Sequence, residues 1–175
     1  MCLPIVRLTS LTLLLSLAAC GFHLRGTGGQ VFSVERIHVS AGDASGELRR
    51  DVEGILAQSG ASIIERSEAP YLLNLVSERF SRRPISTTSQ ISVAEYELTM
   101  EVEFSLEDQV GEMIIPVTLL TLARTYTFDA ESLVGSSEEE ALLKEEMRRE
   151  TAARLIRQID AAIRSGEAAV DEDPA

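Results

Sequence analysis

Thiols, imidazoles and ammonium groups are scarce in this 175-residue chain, which holds two cysteines, two histidines and, at Lys144, a single lysine. Cys2 and Cys20 fall in the first twenty residues, while His23 and His38 stand apart from one another. Zinc sites gather three or four such ligands, so no metal centre is expected. There is also no Gly-x-Ser-x-Gly elbow, no glycine-rich phosphate loop and no His-Glu-x-x-His pair, which leaves a nucleophile or a cofactor without a recognisable seat. Neither catalysis nor a cofactor is expected. Positive charge is short as well, 16 basic residues against 28 acidic and a net charge of −12. Nucleic-acid phosphates require clustered positive charge, so nucleic acid is not an expected partner.

Long apolar runs are the next absence. Leu8 to Ala19 is the most apolar stretch, and it falls well short of the roughly 20 residues a membrane-spanning helix needs. What it has instead is Arg7 in front, an apolar core and small residues at its end, the pattern of a secretory signal. Within "LLLSLAACGFHLRG" the quartet Leu17-Ala18-Ala19-Cys20 looks like a bacterial lipobox. An ordinary signal peptide with a chance cysteine is the alternative. In lipobox proteins the cysteine sulfur takes a diacylglycerol and its freed amine an acyl chain, so residues 1–19 are expected to leave and Cys20 to become an S-diacylglycerol, N-acyl anchor. At about 0.8 kcal/mol per buried CH2, one chain holds marginally and several hold permanently. Gly21 and Phe22, where Asp would favour the inner membrane, point to the outer membrane.

Cleavage would leave 156 of 175 residues, with 15 basic against 28 acidic and a formal charge of −13. With Cys20 acylated, no thiol pair remains to oxidise in the periplasm, and stability must come from a core. That length suits one domain. A strand is expected over residues 34–40, and Gly42-Asp43-Ala44-Ser45 supplies turn and cap chemistry for an amphipathic helix over 46–58, where Leu48, Val52, Ile55 and Leu56 recur at helical spacing before Gly60. "YLLNLVSERF", 71–80, reads as a strand closed by a turn-rich loop, "SRRPISTTS". From 94 to 106 the alternation is nearly strict: Tyr96, Leu98, Met100, Val102, Phe104 and Leu106 lie on one side, Glu95, Glu97, Thr99, Glu101, Glu103 and Ser105 on the other. One face of this sheet is dry and the other wet. "EDQVGE" turns the chain into a return strand, 113–128, in which Val117 and Leu119 add apolar groups to the second face. Either a helix or a partner protein would cover them.

A final helix is expected after Ser136-Ser137, with Glu138, Glu139 and Glu140 in its first turn. Its apolar stripe runs through Leu142, Leu143, Met147, Leu155, Ile156, Ile159 and Ile163. Gly166 should stop it, leaving residues 166–175 as a disordered acidic tail. Lys144 has Glu140 and Glu145 for surface pairing. The result is an α+β two-layer sandwich, two helices on one face of three or four strands joined mostly as hairpins, with the first strand-helix-strand segment suited to parallel pairing. Arg79, Arg82 and Arg83 gather at one strand end, with Arg124 on a later strand. Guanidinium groups grip phosphate bidentately, so these four are candidates for a phosphorylated lipid; a solubilised strand end balanced by Glu78 explains them equally.

Taken in order, "LAACGFHLRG", "AEYELTMEVEFSL" and "RTYTFD" followed by "EEEALLKEEMRRETAARLIRQI" resemble the LptE family of outer-membrane lipopolysaccharide-assembly lipoproteins. The resemblance spans Cys20 to about Ile163. It implies a single domain over 20–165, two helices on a mostly antiparallel four-stranded sheet, three acyl chains on Cys20, and a non-enzymatic role. Such proteins plug the lumen of the LptD β-barrel in a 1:1 complex, help it assemble, and assist lipopolysaccharide on its way to the outer leaflet. Basic side chains associated with lipopolysaccharide in some members have no counterpart in "STTSQISV" or "LVGSS" here. A lipoprotein binding module of general barrel assembly is the rival expectation.

Overall fold

A computed structural model describes residues 32–44, 46–87, 93–129 and 132–171. The expected signal segment, Cys20 and His23 lie outside the described residues. The elements run β1 (Arg36–Asp43), α1 (Gly46–Gln58), β2 (Ser62–Ile63), β3 (Tyr71–Thr87), β4 (Val93–Asp108), β5 (Met113–Asp129) and α2 (Leu133–Asp171). They form one sheet of order β2-β1-β3-β4-β5.

The period-two pattern of β4 organises the sheet. Leu98, Met100, Val102, Phe104 and Leu106 are all essentially inaccessible to solvent, and across the ladder they meet Leu73 and Leu75 of β3 on the same face, with Leu106 opposite Leu73 and Phe104 opposite Leu75. Ile37 and Val39 of β1 extend this dry face, and the helices cover it with Leu48, Val52 and Leu56 from α1 and Met147, Leu155, Ile159 and Ile163 from α2. Phe32 and Val34, ahead of β1, are also buried. Between them Ser33 donates from its backbone N–H (3.0 Å) and its hydroxyl (2.8 Å) to Oδ1 of Asp160 on α2, so the segment entering the domain is fixed to the long helix.

Several boundaries differ from the sequence reading. The sheet has five strands, not four: β2, two residues long, pairs with β1 through Ser62 N–H to the Glu35 carbonyl and Ile64 N–H to the Ile37 carbonyl, satisfying a strand edge that would otherwise be bare. Most of the ladder is antiparallel, through the long β3–β4 and β4–β5 pairings, but the sheet is mixed, because β1 pairs in parallel with both β2 and β3. The parallel β1-α1-β3 unit agrees with the expectation. β3 does not end at Phe80 but runs through "SRRPIST" to Thr87. β1 follows it only to Ser77, so beyond that point no described strand pairs with the second edge of β3, where Pro84 can lack its N–H without breaking a ladder. The ladder to β4, with Arg82 opposite Leu98 and Pro84 opposite Tyr96, prevails over the local turn preference of the segment.

α2 begins at Leu133, five residues before Glu138, where the sequence reading starts it. Ser132 is in the cap position, its carbonyl accepting the Ser136 N–H at 3.0 Å. Ser136 is buried, and its hydroxyl accepts the Asp129 N–H at 3.0 Å, joining β5 to the helix. Glu138 to Glu140 therefore occupy the second turn. The helix also continues past Gly166 to Asp171; its 39 residues span about 58 Å at 1.5 Å per residue. Of its expected stripe, Leu142 is 66% exposed.

α1 stops as expected. Gly60 has φ 93°, Ala61 N–H reaches the Leu56 carbonyl at 3.0 Å and Gly60 N–H the Ala57 carbonyl at 3.1 Å, a Schellman closure that needs a left-handed residue. Gly166, by contrast, is helical, and nothing lies within 4 Å of the position a methyl side chain would take there. Gly60→Ala should therefore cost about 1–2 kcal/mol, and Gly166→Ala should stabilise by about 0.5–1 kcal/mol. Urea unfolding of both variants checks the two helix ends, with loss of stability at Gly166→Ala contradicting the continued helix.

Candidate functional site

Beyond Ser77 the sheet narrows to an arm of β3, β4 and β5, and the arm carries the candidate residues on two different faces. On the face away from the helices, β4 presents its acidic row and β3 answers it across the ladder: Ser77 donates to Glu103 at 3.0 Å, Arg79 lies 3.9 Å from Glu101, and Arg83 Nε is 2.7 Å from Glu97. The Glu97 hydrogen bond raises the Arg83 pKa further. On the β5 side this face turns neutral and apolar, with Val117 61% and Leu119 54% exposed. Both described helices lie against the other side, so among the described residues neither α1 nor α2 covers Val117 and Leu119.

The helix-facing side of the arm is built from Phe80, Arg82, Tyr96, Tyr126 and Phe128. Tyr96 stacks on Tyr126 with ring centroids 6.0 Å apart and meets Phe128 edge-on at 5.8 Å. The Arg82 guanidinium lies 4.7 Å above the Tyr96 ring, a cation–π contact. From there its Nη1 reaches the Tyr126 hydroxyl at 3.3 Å and Glu140 Oε2 at 2.9 Å. Glu140 collects two further donors, the Tyr126 hydroxyl at 2.5 Å and Lys144 Nζ at 2.7 Å. Burial acts to raise the Glu140 pKa, but the hydrogen bonds from Lys144, Tyr126 and Arg82 outweigh it and hold the carboxyl at about 2. The same burial, aided by the Glu140 hydrogen bond, pushes the Tyr126 phenol up.

Two more ion pairs flank this cluster. Arg124 Nη2 is 2.5 Å from Glu150 Oε2, and Arg148 bridges Glu78 (3.0 Å) and Glu47 (2.9 Å) while lying 5.6 Å from the Phe80 ring. Beside it, burial raises the Asp51 pKa against the pull of Arg148 and Arg149. α2 is thus held to the arm by charge and aromatic rings as well as by the buried core around Leu98, Met100 and Leu122.

The structure does not gather Arg79, Arg82, Arg83 and Arg124 into one cluster. Because β3 is extended there, Arg82 faces the helices, while Arg79 and Arg83 face away. Arg124 faces α2. Lys144 makes its expected pair with Glu140. The part sequence reasoning missed is Glu140 itself, which reads as one of three helix-initiating acids; Arg82 is 58 positions from it, and only the tertiary fold brings the two together. His38 is structural, its Nδ1 2.8 Å from the Ile64 carbonyl. Among the described residues no group of three or more His, Cys, Asp or Glu could hold a metal, and no helix is long and apolar enough to cross a membrane.

Comparison with known proteins gives a consistent result. The family model described as LptE, lipopolysaccharide-assembly, matches residues 34–159. The LPS-assembly lipoprotein LptE of Photorhabdus laumondii subsp. laumondii is 30% identical over 155 residues, 85% of this chain and 84% of that one. A crystal structure of the rare lipoprotein B from Shewanella oneidensis superimposes with a TM-score of 0.64 at 28% identity, covering 78% of this chain and 99% of that one. The solution structure of a lipoprotein B from Nitrosomonas europaea gives 0.66 at 25% identity, covering 83% and 94%.

The depressed Glu140 pKa fixes the sign of a stability effect. Its contribution is complete above the ordinary value of 4.5 and is lost as pH falls through that value toward about 2. Glu140→Gln should therefore be less stable than the parent chain at pH 7, and the gap should narrow between pH 4.5 and 2. Urea midpoints across that range measure it; a gap that does not change with pH would remove the ionised Glu140 as its source.

Proposed function

Because the chain belongs to the LptE family of lipopolysaccharide-assembly lipoproteins, we propose that it is held in the outer membrane through acylated Cys20 and seats inside the LptD β-barrel as a 1:1 plug, helping the barrel assemble and lipopolysaccharide reach the outer leaflet. The observation that carries this reading is the family match, which runs from Val34 to Ile159 through every described element of the sheet. Residues 1–19 act as the signal, and the domain occupies residues 20–165. In its working position the domain stands on the periplasmic side and within the barrel lumen.

Two features of the fold support the proposal. The open face of the sheet offers Val117 and Leu119 of β5, exposed and not covered by α1 or α2, to an enclosing wall of another protein. Phe32 is buried and Ser33 is hydrogen-bonded to Asp160, so the N-terminal end of the described domain is fixed to α2. Lipopolysaccharide carries phosphate, and the arginines are its candidate contacts: Arg79 and Arg83 from the open face, Arg82 and Arg124 from the helix face.

A tagged soluble chain, residues 21–175, co-expressed with the outer-membrane proteins of its own cell, should recover one large barrel in equal amount. Recovery of no barrel by the folded chain would count against the plug. Cys20→Ala should abolish acylation of the chain, as its intact mass would show, and unchanged acylation would count against the anchor.

A further inference from the structure

Three donors converge on the carboxylate of Glu140: Arg82 Nη1 at 2.9 Å, Lys144 Nζ at 2.7 Å and the Tyr126 hydroxyl at 2.5 Å. Two cations and a phenol directed at one set of anionic oxygens is the donor set that holds a phosphate group. It stands in a chain of net charge −12, where Glu150 also receives two cations, Arg124 and Arg154. Lys144 is the single lysine. The cluster is reachable, since the side chains of Arg82 and Lys144 are 44% and 35% exposed. Its walls are apolar and aromatic: Tyr96 and Phe128 lie below Arg82, and Phe80 is 6.0 Å from Lys144 Nζ.

We propose that Arg82, Lys144 and Tyr126 form a phosphate-binding cradle that Glu140 occupies in the unliganded chain, so that a phosphorylated lipid binds by displacing this internal carboxylate. The proposal rests on the lipopolysaccharide reading above and deepens it by naming a site and its competitor. Glu140 projects from the second turn of α2, whereas Arg82 and Tyr126 belong to the sheet. Exchange of the carboxylate for a ligand phosphate therefore breaks the polar links from Glu140 to the arm while leaving the aliphatic contacts of Leu155, Ile159 and Ile163 in place. Arg124–Glu150 differs: its carboxylate lies between Arg124 and Arg154, and among the described residues no phenol donates to it, which makes Glu150→Gln a control of equal charge change.

The test is titration calorimetry on the full mature chain with three probes: phosphorylated lipopolysaccharide, the same lipopolysaccharide dephosphorylated, and inorganic pyrophosphate. Glu140→Gln should bind phosphorylated lipopolysaccharide about tenfold tighter than the parent or Glu150→Gln, roughly the effect of one favourable charge-assisted interaction. The gain should vanish on dephosphorylation, and vanish again when Arg82→Gln or Lys144→Gln is added. A gain for pyrophosphate alone, with no variant binding lipopolysaccharide, would keep the cradle, assign it to free phosphate and overturn the lipid reading. Equal lipopolysaccharide binding by the parent, Glu140→Gln and Glu150→Gln would overturn the cradle and leave the family reading intact. Hydrogen exchange on the parent chain gives an answer that does not depend on the variant folding: amides of residues 138–146 should exchange faster with phosphorylated lipopolysaccharide bound, and unchanged or slower exchange would overturn displacement of Glu140.

Discussion

Everything in this domain hangs on the two-residue period of β4. It is paired along its whole length with β3 on one side and β5 on the other, and a slip of one residue would turn Leu98, Met100, Val102, Phe104 and Leu106 to the wet face and Glu97, Glu101 and Glu103 into the core. Burying that many unpaired carboxylates is prohibitive. The register of both neighbours is therefore fixed from the centre. So are the positions of the helices, because both can only cover the dry side.

Along this one core the material changes. At one end α2 contributes Leu155, Ile156, Ile159 and Ile163 to the aliphatic core it shares with α1 and the sheet. Toward the arm it adds Arg148 with Glu78, Arg124 with Glu150, and the group around Glu140. Aliphatic packing has no exchangeable partner short of unfolding. Ion pairs and hydrogen bonds do, since an incoming anion can take the place of a resident carboxylate. The described domain thus joins an end packed by aliphatic side chains to an end where ion pairs and hydrogen bonds also hold the helix.

The two faces of the arm also divide the work. The open face carries a ladder of opposite charges that satisfy one another, Arg79 with Glu101 and Arg83 with Glu97, beside an uncovered apolar strip on β5. Exposed pairs of this kind contribute little to stability, so their effect is to keep the wet face neutral in detail. The helix face holds its cations against aromatic rings, where desolvation makes them stronger binders of anions.

The sequence by itself determined the elements whose signals are local and repetitive: α1 with its glycine stop, the alternating β4, the return strand and the apolar stripe of α2 from Met147 onward. It also carried the family, through motifs spread in order along the chain. It could not place β2, whose two residues have no pattern to read, nor the far half of β3, where "SRRPIST" has the composition of a turn and becomes a strand only because β4 offers the seventeen residues of β3 an extended ladder. The apparent arginine cluster fails for the same reason, since neighbours in a loop can point together and neighbours in a strand cannot. The convergence of Arg82, Tyr126 and Lys144 on Glu140 was decided by tertiary structure alone. Side chains up to 58 positions apart meet only after the sheet has formed and α2 has lain down on it, and no local periodicity records such a meeting.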